Sequence, residues 1–227
     1  TRPVPDEDKL QIDVTAGSRG YHNITAALAH VDETFGILLE GLTYGSSGFK
    51  KLDGGGNTGF IRNDVNLKVR WEPATSSPQV FVVKLGFADE DADETYLGLS
   101  DEDFQISPSR RYRASQLDRF QSDHKQIHLS HVIELEDNLE VKTKLYYNEF
   151  CRSWNKFNGF IDGPQAQDVL NNPGAYTSAY STLLGVRDSV IGDYTNSTID
   201  VTDNDREYSS HGFQTDVMQK KTFLGLR

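Results

Sequence analysis

Three arginines in a run of four residues, Arg110, Arg111 and Arg113, form the most chemically pointed group in this chain. Clustered guanidinium groups present forked, permanently charged donors that suit bidentate hydrogen bonds to carboxylates. The chain carries 34 acidic and 23 basic residues, a net charge of -11, so an anion repelled elsewhere would be drawn to this cluster. The same segment offers Asp101, Glu102, Asp103 and Asp118 as partners, with which the arginines would instead pair and stiffen a loop.

Other chemistry-bearing residues point to less. His124, His128 and His131 are close in sequence, but on a strand His128 and His131 face opposite ways, so the trio does not converge on a metal. The acidic run Asp89–Glu94 lacks the ligand spacing of a calcium loop and reads as solvated charge. Gly54-Gly55-Gly56 is followed by no Gly-Lys-Ser/Thr and reads as a flexible loop, not a phosphate cradle. Cys151 is the only cysteine, so neither a disulfide within the chain nor a Cys-x-x-Cys zinc site is possible. No Gly-x-Ser-x-Gly elbow or His-Glu-x-x-His motif is present, and no catalytic residue or cofactor is expected. The net negative charge and lack of a basic stripe argue against nucleic-acid binding.

The elements that position these residues read as strands. Val65, Leu67, Val69 and Trp71 alternate with Asn66, Lys68 and Arg70, and Phe81, Val83, Leu85 and Phe87 repeat the scheme beyond a turn containing Pro73 and Pro78. Cations at interior positions of strands with a bulky apolar opposite face suit a barrel with a watery lumen and an oily exterior. A soluble sandwich, wet outside and oily inside, has the same alternation. Further strands are expected over about 10–17, 21–31, 34–44, 127–135 and 141–154, with a last one from about Tyr208. Asp89 to Lys125 is expected to break strand structure, and Asn155 to Asp203 to be a long excursion with helical turns over 165–170 and 176–190. Beyond Val31, short connections alternate with long ones, as do the periplasmic turns and outer loops of membrane barrels. With 36% hydrophobic residues and no apolar run of about 20, a helical membrane span is excluded and a strand-built one is not.

The opening Thr1-Arg2-Pro3-Val4-Pro5 is similar to the step from plug to first barrel strand in TonB-dependent outer-membrane receptors. The loop Glu94-Thr95-Tyr96-Leu97-Gly98-Leu99-Ser100-Asp101, with Arg110-Arg111-Tyr112 and Ala114-Ser115-Gln116-Leu117-Asp118, resembles the ferric-citrate branch of that family. The resemblance covers only the early part of a family barrel, which has about 22 strands. It implies an all-β fold, a portion of an antiparallel up-and-down transmembrane β-barrel, with about eight strands and long extracellular loops. Residues 1–9 would be the plug-to-barrel junction and 10–227 the N-terminal part of the barrel, a fragment left with two unpaired edges. It also implies uptake of a ferric siderophore or ferric citrate across the outer membrane of a Gram-negative cell, driven by the TonB complex through the plug. No bond would be broken, and Arg110, Arg111, Arg113 and Gln116 would be the candidate ligand-binding residues. A passive porin or adhesin barrel and a secreted glycan-binding β-sandwich are the alternatives.

Overall fold

A computed structural model describes residues 2–136, 138–186 and 198–219. Eleven strands are present among the described residues: β1 (Lys9–Ala16), β2 (His22–Val31), β3 (Phe35–Ser46), β4 (Lys51–Leu52), β5 (Phe60–Trp71), β6 (Gln79–Ala92), β7 (Arg110–Arg111), β8 (Arg119–Glu136), β9 (Leu139–Phe160), β10 (Ile199–Asp203) and β11 (Arg206–Gln219). Short helices α1 (Asp101–Ile106), α2 (Ala166–Asn171) and α3 (Thr177–Leu184) lie in the connections.

The long strands form one antiparallel up-and-down sheet in the order β1-β2-β3-β5-β6-β8-β9, with β10 and β11 both paired to β9. The two act as one strand broken at Asn204 and Asp205, since β10 pairs with 155–160 of β9 and β11 with 139–152. The sheet does not close. Among the described residues, β1 and the last strand each keep one unpaired edge.

Cross-strand register sorts the side chains into two faces. Leu10, Leu28, Leu39, Leu67, Leu85, Ile127 and Tyr147 stand in one row across seven strands. This apolar face lies open, with Leu10 74% and Phe213 68% exposed. The other face carries Glu40, Asn66, Lys68, Arg70, Lys84, Gln126 and Lys144, and Lys68 is 6% exposed. His128 pairs with Lys84 on the polar face and His131 with Phe81 on the apolar face, so the histidines separate as expected.

The apolar band crosses the hydrogen-bonded rows obliquely. On β1 it continues upward from the Leu67 row through Ile12 and Val14; on β9 it stops at Tyr147, with Glu149 next and Leu145 and Val141 below. A drop of four residues, about 13 Å, over six strand steps of about 4.8 Å each is a slant of roughly 25°. Strands inclined to a flat apolar layer produce such a slant, whereas upright strands do not.

The N-terminal segment lies across the polar face. Val4 is buried against Ala27, Ala29, Val31 and Leu38, the Arg2 carbonyl accepts from Lys68 Nζ, and Arg70 Nη1 pairs with Asp6 at 3.1 Å. Asp8 holds the start of β1 by accepting from the Val31 amide at 2.8 Å.

Several boundaries differ from the sequence reading, β9 among them, which runs on past Trp154 to Phe160. β6 continues through the acidic stretch to Ala92 and β8 begins at Arg119, because above the apolar band a strand has polar residues on both faces and the alternation of apolar residues disappears. β10 falls inside the expected long excursion, although Ile199 and Val201 alternate with Asp200 and Thr202, because the alternation spans only five residues. The helical turns appear at 166–171 and 177–184; residues 187–190 of that expectation, and Asp137 of the β8–β9 turn, lie outside the described residues.

Candidate functional site

The longer loops lie at one end of the sheet and fold together into a cap. Their core is Tyr112, Ala114, Val169, Leu170, Ala179 and Leu183, set on Phe157 and Phe160 at the top of β9. The glycine-rich excursion is tied in as well: β4 pairs in parallel with β7, Lys51 beside Arg110 and Leu52 beside Arg111. Gly54 lies at φ +80°, a left-handed backbone conformation that favours glycine, with the Arg113 guanidinium close beside it.

α1 begins with a strong local signal. Ser100 Oγ accepts from the Asp103 amide at 3.2 Å, and Asp101, Glu102 and Asp103 fill the first turn, where the helix dipole favours negative charge. α3 ends at Gly185 in the left-handed conformation. Between these helices lies the hub of the cap. Asp103, 6% exposed, accepts from Tyr112 Oη at 2.5 Å, from Tyr180 Oη, and from Arg110 Nη1 at 2.7 Å. Burial would raise the Asp103 pKa, but the two hydroxyls and the guanidinium outweigh it and hold the carboxyl below its ordinary value. Burial, with the Asp103 bond second, pushes Tyr112 and Tyr180 up, so both stay hydroxyl donors.

The candidate ligand residues separate in this setting. Arg110 bridges two loops, its Nε donating to Asp53 at 2.9 Å while Nη1 holds Asp103. Arg111 is 3% exposed and its donors end on Ser115 Oγ and on the carbonyls of Asp93, Ser115 and Asp118. The Arg113 guanidinium donates to the carbonyls of Asp53 and Gly55, at 3.5 and 3.3 Å, and pairs with no carboxylate among the described residues. Gln116 is exposed just after a 3-10 turn formed by Arg113–Ser115, and its side chain bonds nothing among the described residues. Asp118, 1% exposed, accepts from Thr95 Oγ1 and from the Phe157 amide, at 2.5 and 2.6 Å, joining the cap to β9. Burial raises its pKa despite these bonds.

Pairing of Arg110 with Asp103 is among the options open in the sequence. Asp53 and Tyr180 are not, since they lie 57 residues from Arg110 and 77 from Asp103, and no local pattern announces such partners. Compared with known proteins, the chain matches no family model and no curated protein.

Proposed function

We propose that this chain is the early part of the β-barrel of an outer-membrane receptor that takes up a ferric chelate of the ferric-citrate kind, energised by a TonB complex. The observation that carries the reading is the open apolar face set against a charged opposite face, with a slanted apolar band between a short-turn end and a folded loop end. From Trp71 to Val65 the band on β5 runs six residue steps, roughly 20 Å along the strand, comparable to the apolar belt of about 25 Å in outer-membrane barrels. Exposing such a band to water would invite aggregation, while lipid would cover it.

On this reading the polar face is the inner wall, and the segment around Val4 enters along it, as expected where a plug leads into a first strand. The loop cap faces outward and meets the cargo. Arg113 and Gln116, whose side chains pair with no carboxylate among the described residues, are placed to meet an anionic chelate directly; Arg110 reaches it by exchanging Asp53 or Asp103, and Arg111 holds the cap in shape. Transport and the identity of the chelate rest on the resemblance of the 94–118 loop to the ferric-citrate branch.

The test is ferric citrate binding by the full-length gene product, with Arg110, Arg111 and Arg113 changed singly to Gln, together with growth on ferric citrate as sole iron source with and without a TonB complex. The reading requires TonB-dependent growth, and weaker binding in Arg113→Gln with the cap intact. TonB-independent growth, or unchanged affinity in all three variants at low and moderate salt, would overturn it.

A further inference from the structure

We infer that the polar face of β8, β9 and β11, near their loop ends, is a binding site for a planar aromatic anion: a carboxylate carried on an aromatic ring. The inference rests on the reading of that face as the inner wall of a receptor and gives this part of it a ligand separate from the ferric citrate proposed for the loop cap. In register, Phe120 stands opposite Trp154; one row down, Ser122, Arg152 and Arg206 align; then His124, Phe150 and Tyr208; then Gln126, Asn148 and Ser210.

The rings form two groups on either side of the Arg152 row. Phe120 meets Trp154 edge-on at 5.3 Å, Tyr96 from the preceding loop lies over Trp154 at 4.5 Å, and Phe150 touches both His124 and Tyr208 at 6.2 Å. Cations are interleaved with them: the Arg152 guanidinium is 5.7 Å from the Trp154 ring and the Lys156 ammonium 5.5 Å from Tyr96. On β8, β9 and β11 these rows hold no acidic residue, and Glu90, which stands beside Ser122 on β6, is paired with Arg62 at 3.0 Å. An open cavity of about 400 Å³ lies among His124, Asn148, Phe150, Tyr208, Ser209 and Ser210, a size that holds one substituted ring.

The polar groups show what is wanted. Asn148 is committed at both ends, to His128 at 3.1 Å and Ser210 at 3.2 Å. Arg152 Nε and Trp154 Nε1, by contrast, are buried N–H donors with no acceptor among the described residues, whereas buried donors in folded proteins are nearly always paired. Two unanswered donors and a cationic rim call for an anionic acceptor, and the rings call for a flat π-face beside it. A sugar would use the rings but not the charge; an aliphatic polyacid would use the charge but not the rings.

Calorimetric titration of the full-length gene product in detergent micelles tests this with four probes: salicylate, cyclohexanecarboxylate, benzyl alcohol and ferric citrate. Salicylate should bind saturably and at least tenfold tighter than cyclohexanecarboxylate or benzyl alcohol. Arg152→Gln should weaken it at least fivefold, as should Arg206→Gln, which alters an exposed side chain and leaves the strands intact by circular dichroism. Equal affinity for salicylate and cyclohexanecarboxylate, or salicylate binding unchanged in both variants, would overturn the inference. Ferric citrate binding without salicylate binding would overturn it while leaving the receptor reading standing. Salicylate binding without ferric citrate binding would support it and count against ferric citrate as the cargo.

Discussion

Changing Asp103 to Asn removes the charge at the centre of the cap while keeping its shape. In the native protein this carboxylate takes two tyrosine hydroxyls and one guanidinium in a site 6% exposed. Hydrogen bonds to a charged group contribute about 1.5–3 kcal/mol each, and the amide keeps one oxygen for at most part of this set. With the charge gone all three contacts weaken, and the cap should lose roughly 3–4 kcal/mol. Arg110 would keep Asp53, which limits the loss. The sheet, held by its own ladders, should be untouched. Hydrogen exchange reads the difference: amides of α1 and α3 should exchange some hundredfold faster or more, while those of β5 and β6 should not change. The same carboxyl fixes the acid response. Its folded pKa lies below its unfolded value, so its stabilisation is fully present above about pH 4 and is lost as pH falls through the folded value. In Asp103→Asn that acid-induced loosening should be reduced. Native protection of α1 and α3 in the variant, or an unchanged acid response, would refute the assignment of Asp103 as the hub.

If the proposed membrane-barrel reading holds, Leu67→Arg, which places a charge in the middle of the apolar band, should cost about 2–4 kcal/mol, read as reduced assembly in the outer membrane. Lys68→Gln, on the opposite face, should spare assembly but loosen the N-terminal segment, because Lys68 is buried beneath the Arg2 carbonyl with Glu40 at 3.8 Å. Val4→Asp should release the same segment, losing about 2 kcal/mol of apolar burial against Ala27, Ala29 and Leu38, seen as faster proteolysis before Lys9.

The strands could be read where one face meets the apolar band. Leu67 and Lys68 show this plainly: period two holds from Val65 to Trp71, and the structure places the two side chains on opposite faces. Above the band the pattern loses its contrast, which is why Asp89–Ala92 of β6 do not read as a strand, while Ile199–Asp203 of β10 alternate over too short a run to stand out. α1 has only six residues, too few for an amphipathic period, though Ser100 followed by three acids is a cap signal in hindsight. The arginine cluster was legible as a group but not as separate roles. Arg111 is buried because the loop folds over it, and Asp53, Asp103 and Tyr180 meet through tertiary contacts that no spacing encodes.

The two tryptophans of the chain lie on opposite faces, Trp71 on the apolar face stacked on Phe81 and 50% exposed, Trp154 on the polar face opposite Phe120. The full-length gene product in vesicles of brominated phospholipid, with each tryptophan retained in turn among those of this chain and any others replaced by Phe, reports which face meets lipid. If the apolar face is the exterior of a membrane barrel, Trp71 fluorescence is strongly quenched by the brominated chains and Trp154 fluorescence is not. Equal quenching of the two, or none of Trp71 in protein that has bound the vesicles, would contradict the account.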